Sequence, residues 1–118
     1  MLDKKIRSFG FAFRGLRIAW REEDNFRFHI AAAALATVLG AMLSISRDEW
    51  LFLVAWFALM LTAETFNTAF EELCDMVRAT HDPHVAKIKD LAAAAVLISS
   101  FGALITGGII FLPRIFAL

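Results

Sequence analysis

Only one cysteine, Cys74, occurs in this chain, so no intrachain disulfide can brace the fold. It lies within a run of helix-forming residues and reads as a small buried filler rather than a reactive thiol. An excess of one charge is also missing. Twelve basic and 12 acidic residues cancel, which removes any global pull toward nucleic acid. Several active-site signatures are absent: the GxxxxGK[ST] phosphate loop, GxGxxG, HExxH, the ExxH of di-iron bundles and a serine-centred nucleophile elbow. Glycine and proline are both missing from Arg47 to Val77, so nothing there interrupts a helix. No repeat, low-complexity tract or linker divides residues 1–118, which are expected to form a single domain.

Apolar residues are what the chain has in abundance. They make up 59% of it, and the mean hydropathy is +0.64. Three stretches stand out, with spans expected at about 28–45, 49–70 and 91–112. About 20 residues at helical rise cross a bilayer core. The third stretch has that length without an internal charge. The first is marginal, and small residues such as Ala31, Ala36 and Gly40 fill it, which suits close helix packing. The second is long enough only if its helix continues past Ala63. Ser46 and Glu49 have the spacing of a capping box, so that helix is predicted to start near Arg47. Running to Val77, it would be roughly 45 Å long and project beyond the hydrocarbon.

Ahead of the spans, Ile6, Phe9, Phe13, Leu16 and Trp20 recur at helical spacing, with Arg7, Arg14, Arg17 and Arg21 largely off that face. Residues 4–21 therefore read as an amphipathic surface helix in the membrane interface. No uninterrupted apolar core lies among these basic residues, and no signal peptide is expected. The fold class that follows is an all-α membrane protein, a surface helix plus three transmembrane helices. Of the 12 basic residues, only Arg47 and Arg114 fall beyond the spans on one side. The positive-inside rule then puts the N-terminus and the segment around Arg78, Lys87 and Lys89 in the cytoplasm.

Chemistry-bearing residues are few. Glu64, Asn67, Glu71 and Asp75 follow one another at spacings of three, four and four, so they share a helical face. Each ionisable group near bilayer depth costs roughly 2.5–3.5 kcal/mol on insertion scales. A metal ion, a bundle interior or a polar substrate would offset that cost. Glu23, in the charged hinge before the first span, and Lys89-Asp90, before the third, fall near the same interface. Carboxylates with a nearby lysine suit a magnesium–nucleotide site, since magnesium takes one or two carboxylates plus phosphate oxygens. A polar seam between packed helices and an ion-conducting path are the competing readings of the same stripe. His29 reads as an interfacial residue at the mouth of the first span. Residues 78–90 are expected to form a loop with Pro83 inside it; His81 and His84 within it, with Pro83 between them and no cysteine nearby, make a weak metal pair.

The residues in these places resemble one family. Glu64-Thr65-Phe66-Asn67-Thr68-Ala69-Phe70-Glu71, followed by Asp75, is similar to the E-x-x-N-[ST]-A-x-E-x-x-x-D signature of the prokaryotic diacylglycerol kinases. The stretch from Ala86 through Lys89-Asp90 to Val96 resembles their A-K-D-x-A segment. Glu23 with Asn25-Phe26-Arg27-Phe28-His29 resembles their E-x-N-F-x-x-H hinge, and Gly15, Leu16 and Trp20 match their surface helix. The likeness runs from about Lys4 to Ile115.

The resemblance implies a homotrimeric kinase of the bacterial plasma (inner) membrane, with its active site on the cytoplasmic side. It would phosphorylate the primary hydroxyl of a membrane lipid with ATP and Mg2+. Glu64 would be the general base and Asn67 would position that region. Glu23 and Glu71 would hold magnesium with the ATP phosphates. Lys89 and Asp90 would help bind the nucleotide, with Asp75 in support. Lys4 and Phe11 stand where some members carry Arg and Tyr, and Ala86 and Ala94 replace a common Lys and Gly; none of these removes a core acid. One branch of the family acts on diacylglycerol and the other on undecaprenol. Residues 25–29, 48–50 and 109–115 look more like the undecaprenol branch, which is the favoured acceptor.

Overall fold

A computed structural model of the chain describes residues 1–77 and 82–118. Arg78 and His81 lie outside the described residues, and with them the His81–His84 pairing. Four helices follow in order: α1 Leu2–Glu22, α2 Asp24–Met42, α3 Arg47–Val77 and α4 Pro83–Phe116. No strand occurs among the described residues, and the last three helices are each long and apolar enough to cross a membrane. The protein is an all-α membrane protein.

α1 carries the expected amphipathic pattern, yet only Ala19 is buried, and Ile6, Phe9 and Phe13 stay uncovered within the chain. It meets α2 through a single extended residue, Glu23, which is at once the C-cap of α1 and the N-cap of α2. Arg27 fastens this corner. Its guanidinium donates to the carbonyls of Trp20 and Arg21 at 2.7 and 3.1 Å and pairs with Asp24. Carbonyls left open at the end of α1 are thus satisfied by a cation, which also suits the helix dipole.

At the opposite end, four residues turn α2 into α3. Ser44 takes a left-handed φ of 52°, uncommon for a side chain other than glycine or asparagine. Gly40 lies where a Cβ would come within 2.8 Å of the Trp50 ring and 2.9 Å of Ile45, so the turn can fold back against α2 only over a glycine. The capping box forms as its spacing predicts: Ser46 N donates to Glu49 Oε1 at 2.9 Å, and Glu49 N donates to Ser46 Oγ at 3.2 Å. A small apolar core of Ile45, Leu53, Ile110 and Phe111 closes this turn end.

α3 and α4 pack against each other along much of their length. Gly102 permits their closest approach, because a Cβ there would overlap the Trp56 ring. α4 is longer than its apolar stretch suggests. Pro83 does not sit in a loop but opens the helix, and Asp82 caps it by accepting from His84 N at 2.8 Å. Proline suits a first helical turn, where its missing N–H is not needed. Lys89 and Asp90 therefore lie inside a helix. Pro113 likewise stands within α4, which continues to Phe116.

Candidate functional site

The buried face of α3 explains where the polar stripe sits. Leu53, Met60, Glu64, Asn67 and Cys74 are its buried residues, spaced seven, four, three and seven apart. One continuous face thus begins apolar near the turn and becomes polar near the hinge. Cys74 is buried on it, as expected of a filler.

Glu64 is 1% exposed, the largest fully buried side chain among the described residues, and neither of its carboxylate oxygens has a hydrogen-bond partner among them. Asn67 Oδ1 is also buried and unpartnered, while its Nδ2 donates to Glu71 Oε1 at 3.4 Å. Buried polar atoms are nearly always paired in folded proteins, so three such orphans in one turn of helix mark a place built for something other than packing.

Two helices bring further groups. From the hinge, Glu23 lies within electrostatic reach of both Glu64 and Glu71. Partial burial, and then the Glu71 carboxylate, push Glu23 above the usual carboxylate range. From α2, His29 is buried and directs Nε2 toward Glu64 Oε2 at 3.7 Å, an ion-pair distance. At the mouth of the first span, His29 thus faces the bundle interior. No spacing within one helix could reveal this, because the contact is made between helices.

α4 supplies Lys89, whose Nζ donates to Asp75 Oδ1 at 2.7 Å. Asp75 thus holds the lysine at the edge of the acid cluster. Asp90 does not join them. It lines a separate open groove of about 630 Å³ with Pro83, Ala86, Lys87, Leu91 and Ala94. A second groove, of about 380 Å³, runs past Asn67 between α3 and α4 and is floored by Ala63, Phe66, Phe70, Ala92 and Ala95.

Among the described residues, no group of three or more His, Cys, Asp or Glu side chains is arranged to hold a metal ion. The Glu23–Glu71 pair nevertheless fits magnesium. The Glu71 carboxylate raises the cost of ionising Glu23, a cost that a divalent cation would offset, and magnesium draws its remaining ligands from phosphate and water.

The family model for prokaryotic diacylglycerol kinase matches residues 10–111. An undecaprenol kinase of Bacillus subtilis is 35% identical over 114 residues, covering 97% of this chain and 93% of the relative. A diacylglycerol kinase of Escherichia coli K12 is 32% identical over 101 residues, covering 86% and 83%. Another, of Helicobacter pylori 26695, is 35% identical over 84 residues, covering 71% and 66%.

Proposed function

The chain belongs to the prokaryotic diacylglycerol kinase family and is a lipid kinase with an alcohol acceptor; we propose that its acceptor is undecaprenol and its product undecaprenyl phosphate. ATP is the phosphate donor, as the kinase family implies. Two observations favour undecaprenol: the Bacillus subtilis undecaprenol kinase is similar over nearly the whole chain, and residues 25–29, 48–50 and 109–115 look like that branch. Diacylglycerol is the second reading, carried by the relatives of that name.

The observation that carries the mechanism is the buried, unpartnered Glu64 carboxylate. A general base must come within hydrogen-bond reach of the proton it removes, with an oxygen free to take it. Glu64 accepts the proton of the lipid's primary hydroxyl as that oxygen bonds to the terminal phosphorus. The bond from this phosphorus to the bridging oxygen breaks, and ADP leaves. Asn67 fixes the adjoining Glu71 through its amide. Glu23 and Glu71 would hold the Mg2+ that accompanies ATP, and the ion's charge would offset that of the phosphates. Lys89, steadied by Asp75, meets phosphate oxygen, and Asp90 contacts the nucleotide from its own groove.

The uncovered apolar faces support assembly. Phe66, Phe70 and the alanines of the groove beside Asn67 stay open in one chain, and a neighbouring copy in a homotrimer would close them. The basic α1 lies on the cytoplasmic face of a bacterial inner membrane, its apolar side in the interface and its arginines toward headgroups. Phosphate transfer from labelled ATP to undecaprenol and diacylglycerol, compared in mixed micelles, tests the reading. Faster transfer to undecaprenol supports it. Faster transfer to diacylglycerol moves the chain to the second reading, and no transfer to either by folded, magnesium-loaded protein overturns both.

A further inference from the structure

A carboxylate that acts as a base from a buried site needs something to orient it. Glu64 has no hydrogen bond to do so, and the nearby carboxylates of Glu23 and Glu71 repel it. Among the described residues, the Lys, Arg or His nitrogen within ion-pair distance of Glu64 is His29 Nε2, 3.7 Å from Oε2. The imidazole is itself buried, with a side-chain exposure of 11%, and meets the neighbouring Phe28 ring in a T-shaped contact with centroids 5.8 Å apart. It comes from α2, a different helix, so the contact ties the base to the hinge that carries Glu23. Catalytic contacts of this length commonly tighten when the reactants assemble.

We propose that His29 is a positioning residue for the phosphoryl transfer: its Nε2–H holds Glu64 Oε2, leaving Oε1 directed to the lipid hydroxyl. The inference rests on the reading of Glu64 as general base. His29 itself exchanges no proton with the substrate. A hydrogen bond donated to one oxygen fixes the plane of the carboxylate, as partners behind a reactive side chain do elsewhere.

The experiment compares His29→Met, which keeps an apolar side chain of similar reach, with His29→Gln, which restores an N–H donor. Each is measured for kcat and for the KM of ATP and lipid in mixed micelles. His29→Met is expected to lower kcat about 10- to 100-fold, the range for losing the partner of a functional side chain. The KM for ATP stays unchanged, and His29→Gln recovers most of the lost rate. Combining His29→Met with Glu64→Gln costs no more than Glu64→Gln alone, because both act through one carboxylate. Native turnover in His29→Met, or a His29→Gln variant as slow as His29→Met, overturns the proposal.

If His29→Met fails to fold, histidine 15N spectra of the native enzyme decide. The His29 ring is expected to carry its proton on Nε2, with a resonance that moves in Glu64→Gln. A bare Nε2, or a resonance indifferent to Glu64→Gln, overturns the assignment. The two readings separate cleanly. A Glu64→Gln variant with native turnover removes the base reading and His29's role with it. An inactive Glu64→Gln beside a fully active His29→Met removes only the role of His29.

Discussion

The two ends of the helical bundle treat buried charge in opposite ways. At the turn end, Glu49 and Arg114 meet in a two-pronged pair, with both N–O distances at 2.6 Å. Arg114 also donates to the Ile110 carbonyl at 3.0 Å, and Glu49 accepts from Ser46 N, so each group is satisfied several times over. At the hinge end, Glu64 is more deeply buried and satisfied by nothing beyond the 3.7 Å approach of His29. The turn-end pair clamps α3 to α4 beside an apolar core. The hinge-end acids Glu23, Glu64 and Glu71 lie within electrostatic reach of one another. The same chemical group is structural where its partners are complete and, on the proposed mechanism, reactive where they are withheld.

The contrast is sharpest at Glu64. Glu64→Gln removes a base without changing shape, and turnover is expected to fall about 10²- to 10⁴-fold, the usual worth of general acid–base catalysis. Steady-state transfer in micelles measures it. Glu71→Gln should act on binding instead, weakening magnesium-dependent nucleotide affinity about 10- to 100-fold, as loss of a metal-site partner does. Titration of ATP with and without magnesium separates that effect from a loss of rate.

Packing changes probe the remainder of the fold. Gly102→Val drives a side chain into the Trp56 ring and should cost about 1–3 kcal/mol, the range for overpacking. A lower thermal midpoint in detergent would report it. At the turn end, Arg114→Met leaves Glu49 without its partner and should lower the same midpoint by less, with kcat essentially unchanged. A large loss of rate in Arg114→Met would blur the division between the two ends.

The smallest effect concerns pH at the hinge. Burial and Glu71 hold the Glu23 carboxyl above its ordinary range, so protonation is favoured in the folded state. Without a divalent cation, its stabilising contribution is full below the unfolded carboxylate pKa. That contribution is lost as pH rises through the raised folded value. Bound magnesium would reverse the sign by favouring the ionised form. Melting curves near neutral pH should therefore rise with added magnesium in the native protein and respond less in Glu23→Gln.

Much of this was legible in local spacing. The interval from Glu64 to Asp75 placed four polar side chains on one helical face, and Ser46-x-x-Glu49 marked the start of α3. Both signals are encoded within a single helix. What spacing missed depends on contacts between elements. His29 reads as an interfacial residue, with no sign of its contact to Glu64, until α2 packs against α3. Arg27 reads as one more basic residue until the corner at Glu23 turns the α1 carbonyls toward it. Pro83 reads as a loop residue because its role as first helical residue depends on Asp82 capping the helix. Arg114 and Glu49 lie 65 residues apart, and no pattern in the chain announces their pairing.

The central claim is that Glu64 keeps one carboxylate oxygen free for chemistry and that nucleotide is held by other residues. Glu64→Gln, assayed in parallel for magnesium–ATP binding and for phosphate transfer to lipid, tests it most directly. The account predicts near-native nucleotide affinity with transfer all but abolished. Substantial transfer by a folded Glu64→Gln protein would contradict it.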